Sequence, residues 1–545
     1  MNPAGQLLLS VFASFICFTL GKVFRVLVRQ FVSPLRNIPG PKSPSLVYGN
    51  MRDIWDSETL HQQWVKQYGI TFRYSGLFNT HRLFTMDTRA INHILTHSKD
   101  YQKPSQLRYI LGQIVGEGLL VVEGAQHRQQ RRIMNPAFGP SQIRGLTDVY
   151  FSKAIKLRDI WSSEITEHHD VNASGISIDV MPWIARATLD VIGLAGFNYN
   201  FDTLNADKKP DELDEAFSRM IAAALNLSLL PTLQTWIRPL RVISSSRQRK
   251  IQAAHRTTSR IGKELLTEAK TLARSITTEK GEIEKDRLGG RDLLSLLVKA
   301  NMATDIPESQ RLKDADVLAQ VPTFLVAGHE TTSTSTIWAL YALAQRPDMQ
   351  TKLREELLSV DTEMPSMDDL MALPVLDAVV RETLRVYAPV PATLRIAMKN
   401  DVLPLETPFT GNDGLLYNSV RINKGDSVFI PISSMNRSEG LWGPDADEFR
   451  PERWENLPEA VSSIPGVWSH LMTFLGGPRA CIGYRFSIVE IKALVFTLIR
   501  AFEFELAVTA SEIRTLPTII RRPFLRDDPT RKCQLPLVIR PHRRD

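Results

Sequence analysis

The sequence predicts a mainly α protein with a smaller β portion, one large domain behind a short apolar N-terminal segment. Three observations carry that reading. Residues 150–300 are mostly amphipathic helical patterns, 314–346 form a further long helical stretch, and apolar residues recur at helical spacing after position 483. Strand-like runs are few and short, the clearest at 71–74 and 83–86. The 545 residues contain no interior linker or repeat, although the length alone could hold several domains. Hydrophobic content of 43% and charged content of 23% are ordinary for a globular protein.

Cys17, Cys481 and Cys533 are too few and too scattered for a disulfide framework, which fits a reducing compartment. The net charge of +7 comes without a Lys/Arg run interleaved with aromatics, so nucleic-acid binding has no support. A membrane surface or an acidic protein partner suits that charge better.

Taken in order, the chain opens with LLLSVFASFICFTLG at 7–21, which carries no charge and is followed by Lys22, Arg25 and Arg29. Lys and Arg can snorkel, so residues 1–30 are expected to form a single-pass membrane anchor, with the trailing positive charges placing the rest of the chain in the cytosol. A cleaved signal peptide is the competing reading. It lacks a basic segment before the apolar run and a small-residue cleavage site after it. The sequons at Asn172, Asn226 and Asn436 are then chance matches on a cytosolic face.

Pro39, Pro41 and Pro44 stiffen the backbone of 31–50, read as a hinge before a domain covering 51–545. A helix is expected at 61–68 and another at 88–96, flanking the two strand-like runs. The stretch 101–122, with Gly112, Gly116 and Gly118, reads as a loop.

Five later stretches carry chemistry. In GAQHRQQRRIMNPAF (124–138), His127 and Arg131 lie one helical turn apart and share a face. In AGHETTSTST (327–336), hydroxyl residues in mid-helix compete for backbone bonds, a cost more readily accepted where a local opening has a use. Glu330 and Thr331 put a carboxylate and a hydroxyl at that spot. Glu382 and Arg385 are three apart and therefore on one helix face, with Arg395 following and PERW at 451–454. The last stretch is FLGGPRACIG at 474–483, which places Cys481 just before a helix whose N-terminus favours a thiolate. Gly477 and Gly483 let backbone amides approach the sulfur, Arg479 can pair with an anionic group, and Phe474 offers an apolar wall.

The pattern F-x-x-G-x-R-x-C-x-G resembles the haem-binding loop of the cytochrome P450 monooxygenases, and four further motifs follow that family's order. The resemblance implies the cytochrome P450 fold, with haem b (iron protoporphyrin IX) held between the Thr331 helix and the Cys481 helix and Cys481 thiolate as axial ligand. It assigns Arg131 and Arg395 to the haem propionates. His127 stands where the family usually has Trp, which leaves a hydrogen-bond donor but departs from the pattern. Arg479, Phe474, Gly477 and Gly483 complete the cofactor loop. Glu330 and Thr331 become the proton-delivering acid and alcohol, while Glu382, Arg385 and Arg453 form a scaffold cluster without chemistry of its own. Residues 101–122 would roof the substrate pocket, 216–243 would form its lid, and 390–394 and 516–519 would line it.

By the same resemblance the activity is insertion of one atom of O2 into a lipophilic small molecule, with electrons from a separate NADPH-cytochrome P450 reductase. The enzyme would sit in the endoplasmic reticulum membrane. The wording of its motifs is similar to fungal members and points to secondary metabolism such as terpenoid biosynthesis. Two alternatives stand beside it: a haem-thiolate isomerase or dehydratase needing no external electrons, and a non-catalytic haem-binding protein. Neither has a use for the Glu330–Thr331 pair.

Overall fold

A computed structural model describes most of the chain from Gln30 to His542. Outside the described residues lie most of 1–29, 168–174, 206–210, most of 214–233, 279–291, most of 303–310 and a few single positions, Leu516 and Pro517 among them. Most of the expected anchor and lid therefore falls outside them.

The fold is built around one helix, Gln320–Ala344, buried along almost its whole length. It packs against Val180–Phe197 and Tyr484–Ala501, and Thr147–Glu167 packs on both of those. Val180–Phe197 is the one described helix long and apolar enough to cross a membrane. It is 67% buried inside the fold, so its apolarity serves core packing. Aromatic rings seat the central helix. Phe324 meets Phe138 edge-on at 5.4 Å, and Trp338 stacks flat on Tyr387 at 4.9 Å while its indole N–H donates to Arg521 O (2.8 Å). The single helix expected over 314–346 is divided into Asp314–Leu318 and Gln320–Ala344. Pro322 explains the break, because it has no amide to offer the Leu318 carbonyl and its ring crowds that group.

The smaller β portion is a five-stranded sheet in the order Thr71–Ser75, His81–Thr85, Ser427–Ile430, Thr393–Ala397, Tyr101–Gln102. One pairing in it is parallel, with Arg82 opposite Ser427, and Arg395 lies opposite Val428 in the antiparallel pair beside it. A two-stranded hairpin, Asp401–Thr410 with Leu416–Ile422, stands apart from it. Near the C-terminus Pro536–Pro541 joins Phe502–Leu506 to Ile176–Asp179.

Two sequence expectations gain detail here. The stretch 101–122 is not simply a loop. Ser105–Val115 is a helix, on which Leu107, Ile110, Leu111, Ile114 and Val115 fall at i, i+3, i+4, i+7 and i+8. It opens after Pro104 and stops at Gly116, whose φ of +66° is the left-handed conformation glycine tolerates. Gly112 sits inside the helix, so glycine content misled the reading. Residues 31–50, expected as a stiff hinge, pack onto the fold. Leu35 and Ile38 are fully buried, Ser33 caps the turn Pro34–Asn37, and Pro39 O accepts the Arg73 amide at 2.9 Å. The prolines suit an extended strip lying along the sheet edge, where missing donors cost nothing.

Below the Cys481 loop lies the charge cluster of Glu382, Arg385 and Arg453. Glu382 and Arg385 have no exposed side-chain surface and pair at 2.7 Å, and Arg453 reaches Glu382 at 3.4 Å. Every hydrogen-bonding group is used. Arg385 donates to the carbonyls of Asn436, Ala446 and Glu448, and Glu382 also accepts from the Trp454 indole and the Arg450 amide. Such a cluster clamps the loops at 436–454 onto the helix Pro374–Val386. Glu382→Ala would leave the buried Arg385 guanidinium without its anion, while Arg453 keeps Asp445 at 2.5 Å, and is expected to cost about 3–5 kcal/mol in urea unfolding; no loss would mean that the clamp is not structural.

His61 offers a pH-dependent test. Its ring lies among Trp64, Tyr74, Phe84 and Phe429 with Nε2 unpartnered, and burial lowers its pKa to about 4. The unfolded chain therefore binds a proton at this site between about pH 6.5 and 4 that the folded chain refuses, and stability falls as pH drops through that window. His61→Phe keeps an apolar ring in the cage and is expected to flatten that slope by up to about 1.4 kcal/mol per pH unit, measured by denaturant midpoints at pH 7 and pH 5.

Candidate functional site

The Cys481 loop is set by backbone geometry. The Cys481 amide donates to Phe474 O at 2.8 Å and closes the turn, and Phe474 packs between Trp468 and Tyr484 at 5.7 and 6.0 Å. Gly477 has φ +67°, and a Cβ there would lie 2.6 Å from Leu95 O, so no other residue fits. The helix Tyr484–Ala501 begins three residues after the cysteine, with Gly483 in the capping position. Burial raises the Cys481 pKa, opposed by a Gly483 amide bond and by the charge of Arg131. Cys481 nonetheless has exposed surface. A thiol both deep in the protein and solvent-accessible borders an internal space. A cation seated against it would remove the remaining opposition to the thiolate, since metal-ligating thiols are deprotonated outright.

The central helix shows a matching window. Its residues are buried at 320–325 and 332–344, while 326–331 are half-buried and Ala327 is exposed. Phe138 links the two places, touching the Cβ position of Gly483 at 3.6 Å and the ring of Phe324, one turn before Ala327. At the window Thr331 Oγ1 donates to Ala327 O (2.7 Å), and Ser335 and Thr336 bond back to the carbonyls of Thr331 and Thr332. Glu330 is turned elsewhere, into an ion pair with Arg522 that the sequence reading did not foresee. Acid and alcohol are adjacent but not bonded to each other.

The predicted cationic residues converge. Arg131 donates to Ala480 O, next to the cysteine. Arg395 is buried and, among the described residues, donates to Thr393 Oγ1 (2.7 Å) and Leu394 O (2.9 Å), and burial lowers its pKa to about 10. Arg479 bonds Val122 O and pairs with Glu123, and burial again lowers its pKa to about 10. His127, almost fully buried, is held neutral, its pKa lowered to about 4 by burial and by the charges of Lys103, Arg131 and Arg128. Lys103 and Arg108 belong to the same group and were missed from sequence. Burial and the charges of Arg479, Arg395 and Arg108 push Lys103 well below its ordinary value, and Glu123 lies 3.9 Å away. Glu123 could have been found, since it stands four residues before His127 and eight before Arg131, on their helix face.

Among the described residues, Glu123 is the one carboxylate paired within this cluster of buried cations. Arg479 Nη1 and Arg108 Nε have no hydrogen-bond partner. Unpaired guanidinium nitrogens at this depth are costly, and they mark the site of an anion. Of the expected pocket lining, Val390–Leu394 is half-buried, Ile519 is exposed and Leu516 lies outside the described residues.

Comparison with known proteins bears on this arrangement. The family model for Cytochrome P450 matches residues 39–524. Cytochrome P450 monooxygenase 205 of Postia placenta is 55% identical over 99% of both chains, and Cytochrome P450 monooxygenase 128 of the same fungus is 50% identical over 97% of both. Cytochrome P450 monooxygenase claO of Ampulloclitocybe clavipes is 36% identical over 93% of both. Enzymes of this family carry a haem whose iron is ligated by a cysteine thiolate, and Cys481 is the ligand in this chain. The observed donor set fits that group: a cysteine sulfur that a cation would hold as thiolate, and Arg479 and Arg108, each with a nitrogen left for an anion such as its propionates.

Arg395→Met tests the fit in two directions. Removing a buried, under-neutralised charge is expected to stabilise the haem-free protein by about 1–3 kcal/mol in urea. Haem affinity, read by titration of the visible absorbance, should fall about ten-fold or more. Unchanged affinity would take Arg395 out of the anion site.

Proposed function

Because the chain belongs to the cytochrome P450 family and is a monooxygenase of that family, we propose that its substrate is a lipophilic small molecule of secondary metabolism such as a terpenoid. Electrons come from a separate NADPH-cytochrome P450 reductase, and the chain works at the endoplasmic reticulum membrane, held by residues 1–30. The observation that carries the oxygenase chemistry is the window in the central helix. Its accessible part is the segment bearing Glu330 and Thr331. Apolar residues at Val390–Leu394 support a lipophilic guest.

Each residue then has a physical task. Cys481 supplies the thiolate, steadied by the Gly483 amide and the Arg131 charge. Arg131, Arg395, Arg479, Lys103 and neutral His127 would hold the propionates of a bound haem. When bound, the haem supplies the redox and oxygen chemistry, with thiolate donation favouring O–O cleavage. Thr331 keeps its hydroxyl proton on Ala327 O until a rotation about χ1 offers it across the window. Glu330 hands on protons from solvent, and it can take one up only by letting go of Arg522. The ion pair therefore meters proton entry and keeps bulk water from an open carboxylate.

A haem-thiolate isomerase or dehydratase remains the second reading, and it would turn over without NADPH. Thr331→Ala is expected to lower product formed per NADPH about ten-fold while hydrogen peroxide rises in compensation. Unchanged product yield, or full turnover with no reductant, would sink the proton-delivery assignment.

A further inference from the structure

Arg108 stands apart from the other cations of the cluster. Arg131, Arg395 and Arg479 each donate to protein oxygens, on Ala480, on Thr393 and Leu394, and on Val122 and Glu123 respectively. Arg108 is half-buried and its Nε is buried without a partner. Among the described residues its guanidinium makes no hydrogen bond or ion pair. The charged groups that respond to it, Arg479 and Lys103, carry its own sign.

The anions of the haem are matched without it. Haem carries two propionates, and with Glu123 these make three carboxylates for Arg131, Arg395 and Arg479. Lys103, pushed well below its ordinary value, adds little charge. One guanidinium is left for an anion that neither the protein nor the haem supplies, and leaving it empty is costly.

The helix that carries it says what kind of anion. On Ser105–Val115, Leu111 and Val115 follow Arg108 at i+3 and i+7 and share its face. Val115 O accepts from Thr323 Oγ1 of the central helix at 3.2 Å, shortly before the window at 326–331. Arg108 lies about 10 Å from Val115 along the helix axis. Leu107, Ile110 and Leu111 are half-buried between the two ends. The outer side is pinned: His255 Nε2 donates to Gln113 O at 2.8 Å, and Arg241 lies over the Tyr109 ring at 3.8 Å. A fixed helix thus offers a cation at one end, apolar side chains along its length and the oxygen-side window near the other end.

We propose that the substrate is a lipophilic carboxylic acid whose carboxylate is bound by Arg108, with its apolar body lying along Ser105–Val115 towards Thr331. The proposal rests on the lipophilic guest given above and narrows it to acids.

The haem-loaded full chain is tested by equilibrium dialysis against matched pairs, decanoate with decanol and farnesoate with farnesol. Each acid is expected to bind about ten-fold or more tightly than its alcohol. Arg108→Met should erase that gap by weakening the acids alone. Arg108→Lys, which keeps the charge but loses the forked donors, should retain part of it. Haem affinity, read by absorbance titration, should be unchanged in both variants. Equal binding of acid and alcohol to the parent protein overturns the carboxylate site and leaves the lipophilic guest standing, whereas retention of neither overturns both. An acid preference that survives Arg108→Met places the anion elsewhere and overturns the proposal. A fall in haem affinity of about ten-fold in that variant puts Arg108 among the propionate ligands and overturns it equally. Where Arg108→Met does not fold, Arg108→Lys decides, and an undiminished gap there overturns the assignment.

Discussion

A sulfur has to be negative inside a protein interior, and much of this fold answers that requirement. Burial alone keeps the proton on Cys481. The chain counters with a glycine amide, the start of a helix and a guanidinium, none sufficient without a cation at the sulfur. A cation seated at the sulfur would supply what these groups do not. Arginines around the loop show the same incompleteness with opposite sign, since their buried charge exceeds what Glu123 neutralises. Site and cofactor are complementary in charge at both ends, sulfur to metal and guanidinium to carboxylate.

Nearby, the Glu382 cluster solves a different problem. There the charges are fully matched and hydrogen-bonded, so it contributes rigidity and no chemistry. Placing a balanced network under the loop and an unbalanced one over it makes sense energetically. An unpaired charge is tolerable only where the surrounding backbone cannot rearrange to relieve it.

How far all this could be read from sequence depended on whether the partners were local. The helix at 88–96 was legible because its apolar spacing and the Asp87 cap are contiguous. The Cys481 loop and the Glu382–Arg385 pair were legible for the same reason. Residues 101–122 were misread because three glycines outweighed a helical spacing that was present. Lys103 and Arg108 could not be found, since their neighbours Arg395 and Arg479 are nearly three hundred residues or more downstream. The Glu330–Arg522 pair was hidden likewise, spanning 192 positions. Long-range electrostatics leave no pattern in one sequence, whereas periodicity and turn chemistry do.

The bond from Trp338 to Arg521 has a temporal meaning. Together with the pairing of Pro536–Pro541 to Ile176–Asp179, it makes the middle of the molecule wait for residues 521–541. As the chain leaves the ribosome, Trp338 lacks this partner until position 521 is free, and one small sheet stays open until residues 536–541 emerge. Packing around the central helix is thus completed late, by contacts of long sequence separation.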